Sequence, residues 1–298
     1  MKNLIKNFIR QNFILSILLS RLSIISSFFL DGFLCRIFRY DDYWLHFCSF
    51  GYIPYWHVVY RPEQKFSEST LIFFSTYIPK KGDVVLELGA GIGNETLVIS
   101  KLIGKTGKII TLEPHPKTYN YLLKTLAFNK LKNVEPEQCV LSYSKNNIYF
   151  TDLRDDWIKN KISNDGQIKI KKMSFEDLFN KYQIKKINFL KCNIEGSEIE
   201  LLKINKENLF KIENLCIECH DFMVDSQIQT YLKIKNFLKN NGYHIFDNYK
   251  KTKTNKHNNY YIYASKNKYR FSENFFYLRD KLDYVSFNKI LRSIISKI

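Results

Sequence analysis

The sequence predicts an α/β fold, a doubly wound, mostly parallel seven-stranded sheet with helical amino- and carboxyl-terminal extensions. Three observations predict it. Short apolar runs of strand length alternate with segments of helical spacing from about residue 66 onward. The first run, VVLELG (84–89), passes into a glycine-rich turn that opens a helix. The last two runs, YHIFDN and YYIYASK, have no helix between them, so they read as a closing hairpin that reverses one strand.

Taken in order, ETLVISKLI follows the first strand with helical spacing, and KIITLE (108–113) is the second strand. PKTYNYLLKTLAFNK is the next helix, with Pro116 suited to its first turn. VEPEQCVLS (134–142) reads as the third strand, followed by a polar excursion with hairpin strands NIYFTD and QIKIKKMS and a short helix, FEDLFNKY. KINFLKCN (186–193) and NLCIECH (214–220) are the fourth and fifth strands, separated by the helix SEIELLKIN. A long helix, SQIQTYLKIKNFLKNNG, precedes the closing hairpin. Buried runs joined by helices argue for a parallel sheet covered on both faces. The domain is expected over 66–268, after an amino-terminal helix and aromatic cap (1–65) and before a basic helix (269–298).

Residues 1–34 carry Lys2, Lys6, Arg10, Arg21 and Asp31 on one side of a helical wheel and Leu4, Phe8, Leu15, Leu18, Leu22, Ile25 and Phe29 on the other. Arg21 interrupts the apolar stretch and no small-residue cleavage site follows, which disfavours a signal peptide. Such a helix lies on something: the domain, an anionic membrane surface, or, against the cost of Arg21, the interior of a bilayer. The stretch from Asp41 to Phe66 is aromatic, and Trp44, Tyr55 and Trp56 are candidates for an acceptor pocket or for core packing. In the last helix Phe287, Leu291, Ile294 and Ile298 form one face, with Lys281, Lys289 and Arg292 on the other.

The net charge of +17 invites a nucleic-acid reading, but its placement does not support one. Residues 1–40 carry a net +5 and 248–298 a net +9, leaving 41–247 at only +3. Nucleic acid is therefore an unlikely partner, because a reading surface would gather bases at the catalytic mouth. The six cysteines form no disulfide framework, which suits buried thiols in a reducing, cytoplasmic setting, with membrane association through 1–34 left open.

Ligands of doubly wound sheets bind at the carboxyl ends of the strands. There the chain places Glu87-Leu88-Gly89-Ala90-Gly91-Ile92-Gly93-Asn94-Glu95, with Glu113 ending the second strand and Ser142 the third. A dinucleotide fingerprint would want a small residue at position 94 and a helix start free for pyrophosphate. Asn94 and Glu95 stand there instead. Acids flanking the loop suit a cationic ligand without phosphate, and S-adenosylmethionine is one. Glu113 is then placed to accept the ribose hydroxyls. The expected cofactor residues are Glu87, Gly89, Gly91, Gly93, Glu113 and Ser142.

Residues 84–220 resemble the FkbM family of S-adenosylmethionine-dependent methyltransferases, which have the Rossmann-like class I methyltransferase fold. The resemblance is carried by VVLELGAGIGNET, TLEPHPKTYNYLLKTLAFNKLKNV, FEDLFNKYQIKKINFLKCNIEGSEIELL and CIECH. The family's glutamate-proline matches Glu113-Pro114, and its helix-ending asparagine matches Asn129. Its signature of lysine, aspartate, glutamate-glycine and glutamate matches Lys191 through Glu198, with Asn193 in place of the aspartate. The resemblance implies O-methyl transfer onto a hydroxyl of a sugar, glycan or natural product.

An alkyl hydroxyl is too weak an acid to ionise unaided, so a base is expected near the fourth and fifth strand ends. Asn193, Glu195 and His220 are the groups there. His220 is the expected base, Glu195 its orienting partner or itself the proton acceptor, and Asn193 a neutral contact to the acceptor. The missing carboxylate and mixed spacing speak against a metal. A protein that binds the cofactor without catalysis, a nucleic-acid methyltransferase and a membrane-held scaffold are the alternatives.

Overall fold

The computed structural model describes residues 12–74, 76–151, 166–221, 229–246 and 261–267. The basic segment 269–298 lies outside them, as do residues 1–11. Seven strands form the main sheet: β4 (Val84–Leu88), β5 (Lys108–Leu112), β6 (Val134–Glu137), β11 (Ile187–Cys192), β12 (Ile212–Glu218), β13 (His244–Phe246) and β14 (Tyr261–Ser265). Their spatial order is β13-β14-β12-β11-β4-β5-β6. Every pair is parallel except those made by β14, which runs against both neighbours. The expected single reversed strand is therefore present, and chain order switches direction between β4 and β11.

Core residues of these strands are buried on both faces, which is why they read as continuous apolar runs. One face packs Leu86, Leu88, Ile110 and Leu190 against α5 (Phe175–Lys181) and α7 (Thr230–Asn240). The other packs Val85, Ile109 and Phe189 against α3 (Asn94–Ile103) and α2 (Pro62–Phe73).

The third strand departs from expectation. Only β6 joins the main sheet, and the chain then turns so that β7 (Val140–Leu141) pairs in parallel with β10 (Lys172–Met173). The polar excursion does form the expected hairpin, β8 (Ile148–Phe150) against β9 (Ile168–Ile170). SEIELLKIN is a 3₁₀ turn, Glu198–Lys203, followed by the short α6 (Lys206–Phe210).

The aromatic cap is a three-stranded antiparallel meander of β1 (Arg36–Tyr40), β2 (Tyr43–Cys48) and β3 (Gly51–Tyr55). It shares the domain's core, because Tyr43, Phe50 and Ile53 pack in one cluster with Val85 and Leu97. A boundary at 65/66 therefore falls inside α2. Asn129, at the end of α4 (Pro116–Phe128), ties the meander down: its Oδ1 accepts Tyr52 N at 2.9 Å and its Nδ2 donates to Tyr52 O at 2.7 Å.

The amino-terminal helix is α1 (Phe13–Asp31), capped by Asn12 and ended by Gly32 in the left-handed region. It docks on the domain through its polar face, where Ser16, Ser20, Ser23, Ser27 and Asp31 are buried. Ser23 Oγ donates to Val59 O and accepts Arg61 N, and Asp31 pairs with the Arg61 guanidinium. The apolar side points outward, with Leu18, Leu22 and Phe29 between 54% and 76% exposed.

Candidate functional site

A cavity of about 880 Å3 opens at the carboxyl ends of β4, β5 and β11, beside the switch in strand order. The turn after β4 forms its floor. Gly89 and Ala90 both donate from their backbone N–H to Leu112 O, which holds the turn against β5. Two glycines there have distinct reasons. At Gly89 an added Cβ would stand 1.8 Å from Asn193 O, so the two loops touch backbone to backbone. At Gly91, with φ +57°, an added Cβ would meet nothing within 4 Å, so it borders open space.

Glu113 lines the cavity with both oxygens directed at backbone amides: Oε2 accepts Gly91 N at 2.9 Å and Oε1 accepts His115 N at 3.0 Å. Each oxygen keeps a second lone pair for a ligand hydroxyl. Burial pushes this carboxyl up to about 7, against the downward pull of those two amides.

Glu87 lies elsewhere. It is fully buried beneath the turn and outside the cavity wall, and its Oε2 accepts from Thr96 and Thr111 hydroxyls. Its Oε1 is 3.7 Å from Lys191 Nζ, which also donates to Gly89 O at 2.5 Å. Burial alone would lower the Lys191 ammonium, yet Glu95, Glu87 and Glu218 together carry it above its ordinary value. Lys191 and Glu87 thus form an ion pair that holds the turn from below. Glu87 stands beneath the turn and outside the cavity lining.

Gly93 and Ser142 are also outside the wall. A Cβ on Gly93 would sit 2.7 Å from Leu122 Cδ1, and Ser142 Oγ accepts Ser144 N at 3.1 Å. Cys139, Val140 and Leu141 line that side instead, because the strand breaks after β6. Of the three aromatic candidates, Tyr55 lines the cavity. Trp44 is buried with Ile37 and Val58, and Trp56 stacks on Tyr55 at 3.7 Å between centroids.

Across the cavity from Glu113 lie Asn193 and Glu195, on the loop after β11. Asn193 Oδ1 is buried without a hydrogen-bond partner. Glu195 has φ +50°, a left-handed conformation that is uncommon for a side chain of this size. Glu198 holds that loop in place: its Oε1 accepts Gly196 N at 3.1 Å and Ile194 N at 3.3 Å. The same oxygen lies 2.7 Å from His220 Nδ1, and His220 Nε2 is 3.5 Å from Glu195 Oε2.

His220 is therefore clamped between two carboxylates. Burial pulls its pKa down, but the Glu198 hydrogen bond and the charges of Glu198, Glu195 and Glu218 raise it to about 9. A ring held in this way favours its protonated form, so a positioning role stands beside its expected role as base. Of the carboxylates around His220, Glu195 lines the cavity, its pKa raised by burial and restrained by His220. Lys191 and Glu198 were quoted in the signature without roles. Their full burial in a polar stretch is what their sequence context did not reveal.

The residues fit S-adenosylmethionine. The Gly91 cradle, the spare lone pairs of Glu113 and the orphaned Asn193 Oδ1 offer space and acceptors. Glu95, at the start of α3 and in the wall, keeps that helix end unfavourable for phosphate.

The model of the FkbM methyltransferase domain matches residues 87–245. The chain belongs to this family. Its domain is a methyltransferase domain, and S-adenosylmethionine is the cofactor of that family. A protein-L-isoaspartate O-methyltransferase of Methanococcus maripaludis is 40% identical over 55 residues, 18% of this chain and 26% of that one. The hexuronic acid methyltransferase AglP of Haloferax volcanii is 26% identical over 143 residues, 47% of this chain and 57% of that one. The chain thus spans about a quarter and just over half the length of these relatives. Aeropyrum pernix fibrillarin with bound S-adenosyl-L-methionine is 14% identical over 76% of this chain and 97% of its own, at a TM-score of 0.41. Strand order, not this likeness, fixes the fold class.

Proposed function

We propose that this FkbM protein transfers a methyl group to a hydroxyl oxygen of a sugar, glycan or related natural product, with Glu195 accepting the hydroxyl proton. The observation that carries this reading is geometric: Glu195 lines the cavity with Oε2 3.5 Å from His220 Nε2, and His220 Nδ1 lies 2.7 Å from Glu198 Oε1. Bound against the glycine turn, S-adenosylmethionine supplies a methyl carbon activated by its sulfonium. Gly91 would give it room, Glu113 would accept its hydroxyls, and Asn193 Oδ1 would accept from it or from the acceptor. Glu195 takes the proton as the acceptor oxygen bonds to the methyl carbon and that carbon's bond to sulfur breaks, with S-adenosylhomocysteine leaving. His220 positions Glu195 and moderates its basicity.

A sugar acid is a reasonable first acceptor to try, since the Haloferax relative is described as acting on hexuronic acid. The test is incubation with methyl-labelled cofactor and a panel of hexuronic acids and their glycosides, followed by mild alkali. Label that survives is an ether on a hydroxyl, and label released as methanol is an ester on the carboxyl group. Alkali-stable label that disappears in Glu195→Gln supports the reading. Alkali-labile label, or unchanged turnover in that variant, overturns it. Cofactor binding with no turnover of any acceptor would instead favour a non-catalytic binding protein, for which Asn193 in place of the family aspartate speaks.

A further inference from the structure

Helix α1 is inside out for a helix packed on a soluble domain. Such helices bury their large apolar side chains and expose their polar ones. Here four serines and Asp31 face the domain, while Ile14, Leu18, Leu22, Ile25 and Phe29 are each more than half exposed. The arrangement is anchored rather than incidental, because Asp31 pairs with Arg61 and Ser23 both donates to Val59 O and accepts Arg61 N. Small serines let the helix approach closely, and large side chains are left on the far side. Phe38, on the neighbouring edge strand β1, is exposed as well.

Charge identifies the occupant. Arg21 is the helix's one exposed charged residue, since its one acid, Asp31, is buried against Arg61. The sequence before the helix adds Lys2, Lys6 and Arg10 with no acid, and Arg36 and Arg39 follow it, both exposed. An apolar stripe whose exposed charges are basic as far as Arg39, with Asp41 and Asp42 the first exposed acids after it, matches an anionic lipid surface, where apolar side chains enter the acyl boundary and bases meet headgroups. At 19 residues the helix is also long and apolar enough to cross a bilayer. Crossing would strip Asp31 and Ser23 from Arg61 and Val59 and carry Arg21 into the hydrocarbon, so a helix lying in the interface keeps more of what the structure shows.

We propose that α1 seats this protein on an anionic membrane with its serine face on the domain and its Leu18/Leu22/Phe29 face in the lipid. Leu19 of the same helix is part of the cofactor cavity wall, so the seat brings that cavity to the membrane surface. The test uses the full chain with vesicles of 1:1 phosphatidylglycerol and phosphatidylcholine, or of phosphatidylcholine alone. Wild type should co-sediment with the anionic vesicles about tenfold more strongly than with the neutral ones, and 0.5 M salt should weaken that binding several-fold. L18E/L22E/I25E should abolish it, and Arg21→Glu should weaken it, with both variants keeping wild-type melting temperatures because they change exposed side chains.

Wild type left in the supernatant, or a triple variant that sediments equally well, overturns the proposal. So does a light-scattering dimer that the triple variant converts to monomer, which would make a second copy the occupant. A triple variant that unfolds early would assign the face to another segment of this chain, and wild type resistant to alkaline carbonate extraction would make α1 a span. Calorimetry with S-adenosylhomocysteine reads the methyl-transfer assignment separately, so either idea can fail alone.

Discussion

His220 Nδ1 lies 2.7 Å from Glu198 Oε1, a contact that ties the fifth strand's end to the loop after the fourth. Glu198 is fully buried and also holds the loop that carries Glu195. A buried carboxylate at that distance favours the protonated imidazole, which supports the proposed role of His220 in positioning Glu195.

Turnover should follow a bell-shaped pH profile. The acid limb reports ionisation of Glu195, whose pKa burial raises above the usual carboxylate range. The alkaline limb should fall near pH 9, where His220 loses its proton and the clamp on Glu195 its charge. His220→Gln should remove the alkaline limb while leaving cofactor affinity within about twofold, as only Glu195 of the pair lines the cavity. An alkaline limb that survives in the variant would assign it to another group.

The same proton links to stability. The His220 pKa is raised from 6.5 to about 9, so its contribution is full below pH 6.5 and is lost as pH rises through 9. Across that window the folded protein binds the extra proton, and stability should fall by at most about 1.4 kcal/mol per pH unit from this group. Chemical denaturation of wild type and His220→Gln at pH 6.5, 8 and 9.5 measures the difference. Equal slopes in the two proteins would refute the assignment.

Cofactor affinity should weaken as pH falls below 7. Glu113 accepts hydroxyl protons best when ionised, and burial raises its pKa to about 7. Below that value the dissociation constant for S-adenosylhomocysteine should rise by up to about tenfold per pH unit, and Glu113→Gln should be weaker but nearly flat over the same range. Calorimetry between pH 6 and 8 reads both.

Much of this was legible in the sequence, for a physical reason. Strands such as Val84–Leu88 and Ile187–Cys192 are covered on both faces, so their apolar runs carry the pattern without help from distant residues. Glu113 was legible because a strand end fixes where its side chain goes. The roles of His220 and Glu87 were not, because each depends on a partner far along the chain. Glu198 is 22 residues from His220, and Lys191 is 104 residues from Glu87. The break after Glu137 was not legible either, since β7 is defined by its pairing with β10. Helix α1 was found, but the wheel grouped its charges without showing that the serines beside them would be the buried face.

Asn129, matched to the family by its position at the end of a helix, acts as a strand-like partner for Tyr52. Asn129→Ala leaves a partly buried N–H and C=O of β3 without their partner and should cost about 2 kcal/mol. Asn129→Asp keeps the acceptor, loses the donor and should fall between. Thermal unfolding ranks the three proteins, and an alanine variant as stable as wild type would show that the meander is held by its aromatic packing alone.

The ion pair under the glycine turn gives the sharpest test of how the site is built. Lys191 and Glu87 are both fully buried, so each is tolerated only because the other is present. Lys191→Met removes the cation and the donor to Gly89 O, leaving Glu87 beside apolar strand residues with only the Thr96 and Thr111 hydroxyls. Removing one partner of a buried pair should cost about 3–5 kcal/mol, with the loss growing at higher pH as the orphaned Glu87 is forced to ionise. Glu87→Gln in the same chain removes the stranded charge and keeps an oxygen for the two hydroxyls, so the double variant should recover most of that loss. Chemical denaturation of the two single variants and the double at pH 6 and 8 completes the cycle. Recovery in the double variant, with cofactor affinity still below wild type because Gly89 O has lost its donor, would confirm that the pair supports the turn. Strictly additive losses would mean that the two residues do not act on each other, and the account of the turn given above would fail.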